Sequence, residues 1–421
     1  VFFYRLLSGL ALLAYSPWAL LQAVSGRRRP GDLRGRLGRT RYPDLCGGIW
    51  IHAVSVGEVG VALNLLAALS RRRPGARLGL SVTTAAGATV ARSRAPAEVA
   101  VFPFPFDLQG PVEKALSRVR PGLVLLTETE LWPLFLQRAA ARGVPVALVN
   151  GRISERSFRR YRLVRGFLSG VLSKVSLFAM QSSEDADRVA LLGAPRERIV
   201  TTGNLKYDLP APGLFPDAAR LALAADGRPI VVAASTAEGE ERVILEAWRE
   251  VGPSALLAIA PRRPERFGEV ARLLSERGLS QVSRSGSGGG RADAYLLDSM
   301  GELPFLFRHA SVAFIGGSLV PVGGHNPIEA WAAGAPVMVG PHTENFREIS
   351  EQGERLGILR RVAGASRLAG ELRAALSDLQ ATRELGQRAE RFVAQNRGAA
   401  DRTAEAVVRL LEPAAGRRAA R

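Results

Sequence analysis

The chain has 421 residues, 47% hydrophobic and 23% charged. That excludes a disordered, collagen-like or small stapled module and supplies more material than one core holds, so two domains are expected. A single cysteine, Cys46, excludes a disulfide framework or multi-cysteine zinc site, and His52, His309, His325 and His342 lack the spacing of metal-ligand pairs, while the net charge of +18 favours anionic partners.

Residues 6–24 are uncharged and mostly apolar, about the length of one membrane crossing. Arg5 precedes them and seven arginines within residues 27–41 follow, a bias that keeps the body of the chain in the cytoplasm and argues against a cleaved secretory signal. Residues 1–26 are therefore expected to form an anchor helix; Pro17 and Trp18 leave open whether it spans the bilayer or lies in its interface.

Short apolar runs then alternate with helix-length amphipathic segments. The runs at 49–54, 77–84, 99–104, 123–127, 144–150, 177–182 and 199–204 predict a parallel sheet covered on both faces, a doubly wound domain over 27–206. The Pro-, Ala- and Gly-rich stretch 207–228 reads as a linker. Runs at 229–235, 254–260, 294–298, 311–317 and 336–340 predict a second doubly wound domain over 229–421, closed by helices and facing the first across a cleft.

Ligands of open parallel sheets sit beyond the carboxyl ends of the strands, so the turns there carry the candidates. In HAVSVGEVG, Glu58 falls in the first turn of a helix, where the helix terminus keeps a carboxylate ionised, as a proton acceptor requires. The same residues also read as a capping box, with Ser55 as N-cap and Glu58 reaching back to its amide. In LVLLTETELWP, Glu128 and Glu130 alternate along the strand direction and should share a face, as crevice acids or as solvated loop acids. GNLKYD carries Lys206, one of only three lysines, either facing the cleft or on the surface.

In the second half, Arg262 and Arg263 follow a strand where an oxyanion can be clamped. Met300, Gly301 and Glu302 offer backbone amides at a helix start. The run 314–336 predicts a glycine-rich turn and a helix with Asn326 as N-cap, Pro327 at its first position and Glu329 at its third, which is either a plain cap or a nucleotide site binding phosphate and ribose. No GxGxxG occurs, so a dinucleotide cofactor is disfavoured.

The segments HAVSVGE, TETELWP, GRISERS, GNLKYD, AASTAEGEE, PRRPER, MGEL and GGHNPIEAWAAGAPV occur in this order. In them the chain resembles, over essentially its whole length, the 3-deoxy-D-manno-octulosonic acid (Kdo) transferases of lipopolysaccharide assembly. The resemblance implies a GT-B glycosyltransferase of two Rossmann-like domains at the cytoplasmic face of the inner membrane. It would move Kdo from CMP-Kdo to a lipid A precursor (lipid IVA), with inversion and without a metal or cofactor. Carried over by motif, Glu58 is the general base, Glu128 and Lys206 support the transition state, and Pro261, Arg262, Met300, Gly301, Glu302, Asn326, Pro327, Ile328 and Glu329 form the CMP site. Leu134, Ala237 and Arg263 depart from the family pattern, the last two near the expected nucleotide pocket.

The charge distribution suits an anionic lipid acceptor and inner-membrane lipids as partners. Residues 152–165 hold six arginines against Glu155, with Phe158 and Tyr161 among them, for phosphates and acyl chains or as a solvated helix face. Alternatives are a GT-B transferase using a UDP-sugar, or a membrane-tethered anion-binding module without catalysis. No nucleic-acid-binding motif is present, so nucleic acid is not an expected partner.

Overall fold

The computed structural model describes residues 30–209 and 215–411. The segment expected as anchor lies outside them; among the described residues no helix is long and apolar enough to cross a membrane. The chain divides into two units, one comprising the described residues up to Asp208 together with those from Asn396 onward, the other running from Leu209 to Gln395.

The first unit is built on seven parallel strands: β1 (Ile49–Ala53), β2 (Leu78–Val82), β3 (Ala100–Pro103), β4 (Leu123–Thr127), β5 (Val146–Gly151), β6 (Leu177–Met180) and β7 (Ile199–Thr201), in the order β3-β2-β1-β4-β5-β6-β7. β1, β2, β4, β5 and β6 are buried along their whole length, which is why they read as continuous apolar runs. Ile49, Ile51 and Ala53 pack on one face against the helix Val56–Arg72, while Trp50 packs on the other against Phe102, Phe104 and Phe135. The chain winds outward from β1 to β3 and restarts with β4 on the other side of β1, so the switch point lies between β1 and β4.

The second unit repeats the plan with β8 (Ile230–Thr236), β9 (Leu256–Pro261), β10 (Gln281–Ser283), β11 (Ala294–Leu296), β12 (Val312–Ile315), β13 (Val337–Val339) and β14 (Leu359–Arg361), all parallel, in the order β10-β11-β9-β8-β12-β13-β14. Its switch point lies between β8 and β12. β10 and β14 are three-residue edge strands, without the long apolar run that marks a central one.

The C-terminal helices do not all close the second unit as expected. The helix Ala399–Val408 belongs to the first, where Ala399, Ala400, Ala404 and Val407 join the core formed by Val56–Arg72. Apolar periodicity shows that a helix buries a face, not which unit receives it. The expected linker contains the helix Ala218–Ala225, whose Leu221, Ala224 and Ala225 are buried in the second unit.

Candidate active site

At the first unit's switch point, β1 ends at Ala53 and the helix Val56–Arg72 begins after the N-cap Ser55, whose hydroxyl oxygen accepts the Glu58 amide at 3.3 Å. Glu58 is buried, at 7% exposure. One of its oxygens accepts the Ser55 hydroxyl at 3.0 Å; the other accepts the Val54 amide at 2.9 Å and the Thr127 hydroxyl at 2.8 Å. The capping box therefore forms, but Glu58 reaches the amide of Val54, one residue before the expected Ser55. Thr127 ends β4, so this bond joins the two strands flanking the switch point. His52, earlier on β1, is fully buried, with Nδ1 3.1 Å from Ser81 O and Oγ and its ring stacked on Phe104 at 3.7 Å. Burial holds it down to about 3, so it remains a neutral support.

Glu128 and Glu130 are not presented by strand alternation, because β4 stops at Thr127. Glu128 has a left-handed backbone, φ +54°, and Thr127 to Glu130 forms a turn closed by the Glu130 amide on the Thr127 carbonyl. The Thr129 hydroxyl donates to the Arg152 carbonyl, tying this turn to GRISERS. Lys206 Nζ lies 2.9 Å from Glu128 Oε1 in a pair that keeps about a fifth of each side chain exposed. It sits on a short turn whose Leu205 amide donates to Asn150 Oδ1 and whose Leu205 carbonyl accepts Asn64 Nδ2, both at 3.0 Å. Burial, then the charges of Glu58 and Glu128, push Glu130 up to about 7. Glu58, Glu128, Glu130 and Lys206 thus converge at one strand edge. Thr127, Asn64 and Asn150, which hold Glu58 and the Lys206 turn in place, carry no motif of their own in the sequence; Asn150 is marked there only as a polar residue ending a buried strand.

In the second unit, Pro261 ends β9, and the Arg262 amide donates to the Thr236 carbonyl at the end of β8 at 3.0 Å. Arg262 and Arg263 are exposed. Met300 is exposed and Gly301 has φ +85°, while Glu302 is engaged by Arg284 at 2.8 and 3.1 Å and by the Ser299 hydroxyl at 2.9 Å. The helix after the glycine-rich turn begins at Ile328, one residue later than expected, with Asn326 Oδ1 accepting the Ile328 amide at 3.1 Å; Glu329 is therefore at its second position. Burial, then Arg262, lowers His325 to about 4. The connections after β9, β11 and β12 thus bring Arg262, Met300–Glu302 and Asn326–Glu329 to the same carboxyl edge of the sheet.

The glycine turn after β12 has an occupant the sequence did not reveal. Glu240, fully buried, accepts the amides of Ala237, Gly317, Ser318 and Leu319 at 2.6–2.8 Å. Three amides of that turn are therefore engaged by the protein's own carboxylate. A Cβ on Gly316 would lie 2.6 Å from Ser235 O and 2.7 Å from Glu240 Oε2, so glycine is required by this close approach.

The helix Glu155–Leu163 carries exposed Arg156, Arg159, Arg160 and Arg162. Phe158 and Tyr161, expected to face a partner beside them, instead pack on the core; Leu163, Val164 and Phe167 are the exposed apolar side chains, Leu163 at 86%. Among the described residues, no group of three or more His, Cys, Asp or Glu is placed to hold a metal ion.

Residues 31–209 match a family model described as 3-deoxy-D-manno-octulosonic-acid transferase (kdotransferase). The chain is 36% identical over 395 residues to the 3-deoxy-D-manno-octulosonic acid transferase of Haemophilus influenzae, with 92% of each chain covered. It is 35% identical over 389 residues to that of Bordetella pertussis, with 89% of this chain and 90% of that one covered. The calicheamicin glycosyltransferase CalG4, 17% identical, aligns with a TM-score of 0.55 over 89% of this chain and 99% of its own, a likeness of fold alone, to GT-B enzymes with two parallel-sheet α/β units. The chain belongs to the 3-deoxy-D-manno-octulosonic acid transferase family of glycosyltransferases.

Proposed function

We propose that the protein transfers Kdo from CMP-Kdo to a hydroxyl of a lipid A precursor, with inversion and without a metal ion, at the cytoplasmic face of the inner membrane. The observation that carries the catalytic assignment is Glu58: a buried carboxylate fixed by the Val54 amide and the Ser55 and Thr127 hydroxyls at the switch point. Glu58 takes the proton of the acceptor hydroxyl as its oxygen bonds to the anomeric carbon of Kdo. The bond from that carbon to the CMP phosphate breaks with its electrons, and CMP leaves as an anion. Attack opposite the leaving group inverts the centre.

Lys206, already paired with Glu128 at 2.9 Å, balances negative charge beside the base. Arg262 and the amides around Met300–Glu302 and Asn326–Glu329 receive CMP, and preorganised charge of this kind is usually the largest catalytic term. The arginines of Glu155–Leu163, with exposed Leu163, Val164 and Phe167 nearby, support a partner carrying both phosphate and acyl chains, namely the acceptor and membrane lipids.

Glu58→Gln should retain CMP affinity and lose about 10²-fold or more in turnover, read as CMP release from CMP-Kdo. Loss of CMP affinity in that variant would remove the base assignment. Thermal stabilisation of the wild type by UDP and not by CMP would replace the donor by a UDP-sugar.

A further inference from the structure

We propose that a cleft at the carboxyl ends of β2 and β3 in the first unit binds a phosphate monoester of the acceptor, beside the hydroxyl that Glu58 deprotonates. This rests on the acceptor reading above. The cleft has a volume of about 460 Å³, room for a phosphate together with part of a sugar, and its polar lining comes from Arg36, Thr40, Thr83, Thr84 and Arg92, without a carboxylate. Two guanidiniums with the Thr40 and Thr83 hydroxyls, and no acid among the lining residues, form a site for a multiply charged oxyanion.

The lining is preorganised. The Arg36 guanidinium lies 4.2 Å from the centre of the Phe106 ring, which fixes a side chain that would otherwise lose much rotamer freedom on binding. The Thr83 hydroxyl oxygen is buried and has no hydrogen-bond partner within the protein, a cost that a ligand oxygen would remove. Thr84 caps the helix Ala85–Arg94 by accepting the Gly87 amide at 3.2 Å, and Ala85, Ala88 and Arg92 of that helix line the cleft.

The cleft is also coupled to the base. The Thr83 amide donates to the Ala53 carbonyl at 3.3 Å, and the Thr84 amide and hydroxyl donate to the Val54 carbonyl at 3.2 and 2.8 Å. The Val54 amide in turn donates to Glu58. Neighbouring strands lie ~4.8 Å apart, and in the order β3-β2-β1-β4 the cleft at β2 and β3 and the carboxylate held between the ends of β1 and β4 are about two strand spacings apart. The phosphate that fits therefore sits within about 10 Å of the reacting hydroxyl.

The test compares equilibrium binding of intact and phosphatase-treated lipid A precursor, in detergent micelles, to the wild type, Arg92→Ala and Thr83→Val. Wild type should prefer the intact acceptor by about 10-fold or more, the scale of a lost charge-assisted hydrogen bond, and both variants should lose most of that preference. An unchanged preference in the variants, or none in the wild type, overturns the proposal. If inorganic phosphate binds the wild type but not Arg92→Ala while the acceptor preference stays intact, the cleft takes free phosphate and the acceptor assignment is overturned. These measurements need no turnover. CMP release by the wild type is scored separately, so failure of the transferase reading and failure of the cleft are distinguishable.

Discussion

Glu58, Glu128 and Glu130 share a strand edge but are held in three different ways: by hydrogen bonds from two hydroxyls and an amide, by an ammonium, and by burial beside the other two. The cap and the base at Glu58 are one arrangement, since the bonds that start the helix also fix the carboxylate. They separate by substitution. Ser55→Ala should cost about 1 kcal/mol of stability in denaturant melts, whereas Glu58→Gln, which keeps an acceptor for the Val54 amide, should cost less stability and far more turnover. Glu130 makes a pH prediction. Its folded value is raised above the ordinary 4.5, so the wild type is most stable with Glu130 protonated and loses that contribution as pH rises from 4.5 through about 7. Glu130→Gln is neutral throughout. Its stability relative to wild type should therefore climb across that window and level off above it, in urea melts at a series of pH values; a flat difference would remove burial and repulsion as the cause.

At the scale of elements, the working groups sit where strands end irregularly. Glu128, Asn150 and Ser235 all have φ near +54°, a conformation that costs side-chain-bearing residues free energy and turns the chain onto a new course. Positive φ leaves little trace in sequence, which explains why the strand ends HAVSVGE, TETELWP and GNLKYD were legible as candidate turns, while the direction of Glu128 was not. Likewise the glycines at 316 and 317 signalled close approach, but not that Glu240, 77 residues before Gly317, is the group that approaches. Glu240→Ala would leave four backbone amides without their acceptor, three from one turn, at about 1–3 kcal/mol for each donor that stays unsatisfied. A stability loss of at least ~3 kcal/mol is expected in thermal or denaturant unfolding of the second unit. A loss under 1 kcal/mol would mean that water replaces the carboxylate.

Across the whole molecule, the two doubly wound sheets follow from the twelve apolar runs, because fully buried parallel strands have a compositional signature; the assignment of the last helix required tertiary knowledge. Ala399–Val408 covers Val56–Arg72, the helix that begins at the base. Arg402 Nε donates to the Thr202 carbonyl and Thr403 bonds to Thr202, so this helix is bound by polar contacts as well as by its apolar face. Ending the chain after Asn396 should destabilise the first unit, seen as faster limited proteolysis between residues 49 and 208 than between 230 and 395; the reverse order would show that the helix is dispensable there. The Asp208 carboxylate accepts the amides of Gly398 and Ala400, so departure and return occur at one spot on the first unit. Topologically, the segment 209–395 is an insertion into the chain of the first unit, so two cuts in sequence separate it and an exchange of that segment leaves the order of the host's own elements unchanged.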